Sequence, residues 1–138
     1  MKVFMLAVLA LPVWLWTGAM VLAQDQPRGT KLTGEDLAKL VEPGILLEGR
    51  NWQFDLLTST VLVRGGTIYT HYIDRGGNSS QDKGKWRIAG DTLCFALAFA
   101  TGETEQCRTY YRLDDGSLEG LSNPGNKRLV TFRVRRWE

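Results

Sequence analysis

The chain has 138 residues, 43% of them apolar and 23% charged, which is the composition of a folded globular protein and excludes a disordered one. Seventeen Lys and Arg against 15 Asp and Glu leave a net charge of +2. That balance lacks the clustered cationic excess that phosphate neutralisation requires, so nucleic acid is not expected as a partner.

Met1 and Lys2 give a short basic start, Val3 to Leu22 is nearly all apolar, and Val21-Leu22-Ala23 places small residues before the polar Gln24-Asp25-Gln26. This three-part pattern predicts a secretory signal peptide over residues 1–23. Twenty apolar residues also suffice to span a bilayer, so an uncleaved anchor is the competing reading. Pro12, Gly18 and the small residues at the cleavage position favour removal, after which no permanent membrane span is expected. No Cys follows the apolar run, which argues against a lipid anchor. The cleaved chain keeps one basic residue in excess.

Residues 24–30, with Pro27 and Gly29, read as a flexible leader, and 31–138 as a single β domain with order beginning near Leu32. Thr33, with Asp36 three residues on and Leu37, Ala38 and Leu40 behind it, predicts one short N-capped helix that ends at Pro43-Gly44. From Ile45 onward, short alternating runs broken by glycine turns predict antiparallel strands. Val61 to Arg64 and Thr67 to Tyr72 flank Gly65-Gly66; a two-residue turn there sets Val63 opposite Ile68 and Leu62 opposite Tyr69. Gly76 to Gly84 reads as an exposed loop.

Lys85 to Ile88 and Thr92 to Phe99 form the next strands, and a turn at Ala100-Thr101-Gly102 brings Cys94 opposite Cys107. An even cysteine count behind an export signal reads first as a disulfide. The alternatives are two free thiols or two metal ligands, and one histidine is too little to complete a zinc site.

The facing of this hairpin is in conflict. Leu93, Phe95, Leu97 and Phe99 share one face, yet across from it stand Gln106, Arg108, Tyr110 and Arg112. Either both faces are covered, or a bulge near Tyr110-Tyr111 shifts the register. A last hairpin, Leu118 to Leu121 and Leu129 to Trp137 about the Asn123 to Asn126 turn, points Val130, Phe132 and Val134 inward and Arg133 and Arg135 outward. Eight or nine short strands therefore predict an all-β fold, an antiparallel meander curled into a small barrel or sandwich.

Few residues suggest chemistry. His71 has no nucleophile elbow or orienting acid beside it, so a half-exposed strand position explains it better than a catalytic triad. The acidic residues fall mostly in turns, where Asp bonds its own backbone. Paired carboxylates for glycoside hydrolysis stay as an alternative. No phosphate-cradling or dinucleotide motif appears, and no cofactor or metal is expected. Arg133, Arg135 and Arg136 with Trp137, and Arg108 with Arg112, form a basic and aromatic set that could contact an anionic polymer or a carboxylate on a partner, but a solvated outer face explains it better. Trp52, Tyr69, His71 and Trp86 are the candidate ligand-binding residues of a cleft in a small barrel.

Gly84-Lys85-Trp86-Arg87-Ile88-Ala89-Gly90-Asp91-Thr92-Leu93-Cys94, then Glu105-Gln106-Cys107-Arg108-Thr109-Tyr110, and the Leu32 to Leu37 opening together resemble a pattern in short exported proteins of alphaproteobacteria. These belong to domain of unknown function family 995, and the resemblance covers roughly residues 31 to 136. It implies a lipocalin-like or related β-barrel and carries no activity.

The expected role is that of a periplasmic or secreted, non-catalytic binding module in the cell envelope, for a small hydrophobic ligand or an envelope protein. The alternatives are a carboxylate-based cell-wall hydrolase and a lysozyme-inhibitor-like protein presenting Gly76 to Gly84.

Overall fold

Period-two alternation along eight successive strands decides the architecture, because one face of each must find a common core. The computed structural model describes residues 27–136. The expected signal peptide, Gln24 to Gln26 and Trp137 lie outside them. The elements are β1 (Thr30–Lys31), α1 (Gly34–Val41), β2 (Ile45–Asn51), β3 (Leu56–Val63), β4 (Thr67–Ile73), β5 (Ser79–Ala89), β6 (Thr92–Leu97), β7 (Gln106–Arg112), β8 (Leu118–Ser122) and β9 (Arg128–Arg136).

Strands β2 to β9 pair in sequence, each antiparallel to the next, and β9 returns to pair with β2 from Ile45–Arg136 to Asn51–Val130. The result is a closed eight-strand meander barrel, the all-β fold that the sequence predicts. Leu47, Leu62, Ile68, Leu93, Phe95, Leu97, Val130 and Phe132 fill its interior. Gly49 and Gly84 permit close strand crossings: a Cβ at Gly84 would stand 1.8 Å from the Ala96 carbonyl oxygen, and one at Gly49 1.8 Å from that of Thr131.

One end of the barrel is plugged. The Thr33 hydroxyl accepts from the Asp36 amide while the Asp36 carboxylate accepts from the Thr33 amide, so α1 starts on a complete capping box. The Gly34 amide also donates to Asp91 at 2.8 Å, tying the helix start to the β5–β6 turn. Leu37 and Val41 are thereby set against Ile45, Leu62, Leu93, Tyr110 and Leu118.

Four expectations are corrected. The β3–β4 register places Leu62 opposite Ile68 and Val63 opposite Thr67. The turn is therefore the three residues Arg64, Gly65 and Gly66, both glycines at φ +95°. The added residue lets Leu62 and Ile68 share the interior, because a one-residue slip exchanges the two faces. The expected loop from Gly76 to Gly84 is strand from Ser79 onward, since Asp82 and Gly84 point inward across from Thr70 and Ile68.

The facing conflict is not relieved by a bulge: β6 and β7 pair with Cys94 opposite Cys107, β7 runs without an irregularity at Tyr110, and the register shift lies at Gly120/Leu121, between β8 and β9. The bulky face of β6 and the Gln106, Arg108, Tyr110 face of β7 both enter the barrel. Finally, order begins before Leu32. Thr30 and Lys31 pair with Arg112 and Tyr111, and Arg28 donates to Glu119 at 3.1 Å.

Glu119 sits on the outer wall yet is only 1% exposed, roofed by Arg28 and Arg128. Cys94 and Cys107 are direct cross-strand partners in a disulfide. No helix among the described residues is long and apolar enough to cross a membrane.

Two stability outcomes follow. Glu119→Ala strands two cations and is expected to cost about 3 kcal/mol, whereas Arg28→Ala, at the exposed end of the pair, costs under about 1 kcal/mol; urea midpoints of the two variants check the ordering. Replacing both cysteines by serine opens a short loop and is expected to lower stability by about 3 kcal/mol, with equal loss when the native protein is reduced.

Candidate functional site at the barrel mouth

The barrel end opposite α1 is open. There β2 ends at Asn51, β4 passes into the Asp74 turn and β6 into the loop before Gln106, leaving a cavity of about 600 Å³. Phe54, Leu56, Phe95, Leu97, Phe99 and Ala100 form its apolar wall. Phe99 is 83% exposed and Phe54 58%. Two large aromatic side chains thus stand in solvent beside the opening.

The loop that carries Phe99 is shaped by Asp82. Its buried carboxylate accepts from the Phe99 amide at 3.1 Å and the Ala100 amide at 2.8 Å, and from the Lys83 amide at 2.8 Å. Thr101 closes the same loop, its hydroxyl donating to the Leu97 carbonyl and accepting from the Leu97 amide. Asp74 stands at the rim, where the Asn78 side chain and amide both donate to it and lower its pKa below the usual carboxylate value. Both acids are engaged in fixing backbone, and the Asn78 hydrogen bonds move Asp74 away from the raised pKa that a general acid requires.

Below the mouth the space narrows to about 40 Å³, room for a few waters or one small polar group. Asn51, Tyr72, Phe95, Leu97 and Arg108 line both the wide and the narrow parts. The narrow part is polar on one side. Thr60 and Thr70 share a hydrogen bond at 3.2 Å, whereas buried Thr58 Oγ1 has no partner among the described residues.

Arg108, 9% exposed, lies with its guanidinium carbon 4.5 Å from the Phe95 ring centroid, and its buried Nε also lacks a partner. Burial raises the pKa of Tyr110, with the neighbouring Arg108 charge opposing the rise. Burial likewise raises that of Tyr72, and the Asp82 charge adds to it.

The four residues expected to form a cleft are not brought together. His71 and Trp52 lie on the outer wall, in a trough of about 670 Å³ that also includes Arg50, Leu57 and Arg133. The Trp52 indole donates to Thr131 there, and Arg50 stacks on it at 5.2 Å. Tyr69 is on another part of the outer wall under Lys83. Trp86 packs against the core away from the mouth, its indole donating to the Val63 carbonyl. Two of the trough's arginines are paired, Arg50 with Asp55 and Arg135 with Glu48.

Sequence reasoning set Arg108 with Arg112 on a solvated outer face, whereas Arg108 is buried in the lumen by its register opposite Leu93, and it missed Asp82 and the two rim phenylalanines as site residues. The signal for Arg108 was present, because a cation opposite Leu93 is the facing conflict itself. No family model, no curated protein and no solved structure matches the chain.

The phenols give a pH dependence. Their neutral forms are favoured in the fold, so this contribution is fully present below the ordinary tyrosine value of about 10 and is lost as pH rises above it. Tyr110→Phe is expected to flatten that alkaline decline in the urea midpoint; an unchanged slope assigns it to other groups.

Proposed function

We propose that the chain is an exported, non-catalytic binding protein of the cell envelope whose barrel mouth takes up a small hydrophobic ligand. The observation that carries this reading is the cavity of about 600 Å³ with exposed Phe54 and Phe99 at its rim. A volume of this order suits a small organic ligand, and an apolar wall with a few fixed polar groups is what such ligands require. Binding covers the two rings and releases water from them.

Export is supported by the disulfide, a bond that persists in oxidising compartments, and by the apolar leader over residues 1–23. The resemblance to domain of unknown function family 995 points the same way. A binding role rather than a hydrolytic one is supported by the engagement of Asp74 and Asp82 with backbone amides.

Titration with Nile red, a neutral apolar dye, tests the reading. Saturable, blue-shifted fluorescence is expected, and Ala100→Trp, which fills the mouth from an exposed position, is expected to weaken it at least roughly tenfold, the loss of about 1.4 kcal/mol of contact. No saturable binding, or equal affinity in the filled variant, overturns it.

A further inference from the structure

Arg108 is the one buried arginine among the described residues. On the outer surface Arg50, Arg87, Arg128 and Arg135 each meet a carboxylate. Arg108 meets none among the described residues, and its Nε is left without an acceptor. A guanidinium withdrawn from water and unpaired is a standing cost to the fold, which an anion removes.

The two acids in the same cavity do not supply that anion. Asp82 turns its oxygens to the amides of Phe99, Ala100 and Lys83, and Asp74 is held by Asn78 at the rim. Among the described residues that line the narrow part of the lumen, Arg108 is the only charged one. Around it stand hydroxyls with protons to donate: Thr58, whose Oγ1 is unpartnered, and the Tyr72 and Tyr110 phenols, protonated at neutral pH as any tyrosine with a pKa of about 10 is. Positive charge and hydroxyl donors converge on one small space.

We infer that the ligand is a single-headed carboxylate amphiphile, bound head-first with its carboxylate on Arg108 and its apolar tail against Phe54 and Phe99. This rests on the mouth being a ligand site. The volumes set the orientation, because about 40 Å³ at Arg108 admits a head group and not a tail, whereas about 600 Å³ at the mouth admits a tail. The planar guanidinium fork matches the two oxygens of a carboxylate, and Phe95 stacked on one of its faces holds that fork still.

Displacement of Nile red from the full mature protein at neutral pH, by decanoate, decanol, decylamine and decyl phosphate, tests the assignment. Decanoate is expected to bind roughly 10- to 100-fold tighter than decanol, the range of a charge-assisted hydrogen bond to a buried group. Arg108→Met is expected to bind decanol as the native protein does and to lose the preference, and Arg108→Lys, which keeps charge without the fork, to retain only part of it.

Equal binding of decanol or decylamine and decanoate by the native protein overturns the proposal, as does a preference that survives in Arg108→Met. Tighter binding of decyl phosphate overturns the choice of carboxylate. Decanol binding without preference removes only the head-group assignment, whereas failure of Nile red and every decyl compound to bind removes the mouth as a ligand site. The native comparison decides even where a variant does not fold.

Discussion

The pairing of β9 with β2 is the constraint on which the rest depends. Until it forms, the meander is an open sheet with two exposed edges and either face free to seek cover. Once Ile45 to Asn51 is matched to Val130 to Arg136, every strand from β2 to β9 has one face committed to a lumen of fixed width. Whatever side chains alternate into that lumen must share it. Thr58, Thr60, Thr70 and Arg108 are therefore interior by register, beside the leucines and phenylalanines that hold the barrel together.

Closure leaves two ends, and the sequence treats them differently. At one end the capping box and the Gly34 to Asp91 bond point Leu37 and Val41 into the lumen, so the apolar stripe of α1 acts as a stopper. At the other, Asp82 spends its buried charge on the amides of the loop that carries Phe99. A carboxylate answered by several backbone donors is a rigid joint, and it holds a phenylalanine in water rather than folding it over the mouth. One end is built shut and the other is built open.

Alternation, glycine turns and an N-capping pattern made the strands, the helix, the cysteine pairing and the inward set Val130 and Phe132 legible from sequence. These are local signals. What was not legible depends on closure. Gly65-Gly66 fits a two-residue turn locally, and only the demand that Leu62 and Ile68 both face the lumen adds Arg64 to it. Ser79 to Asp82 has loop composition and becomes strand because β4 needs a partner along its whole length. The aromatic residues were the natural guess for a ligand cleft, yet Tyr69 and His71 fall on the outer parity of β4 and Trp52 lies in the turn after β2, against the outer wall. The informative residue was the one that broke the pattern, an arginine facing Leu93.

That misfit bears on function through stability. A leucine at position 108 would satisfy the lumen, and buried charges are commonly replaced by apolar residues with no loss or with gain. The stiffening devices instead lie on the outer wall: the Cys94 to Cys107 disulfide, and Glu119 under Arg28 and Arg128. Strength placed outside lets the interior remain an incomplete core, with Thr58 Oγ1 and Arg108 Nε unsatisfied and Arg108 lining both the narrow space and the mouth. A wall that does not have to rearrange, around polar groups already desolvated, is preorganised: a ligand completing those bonds pays little to order the protein.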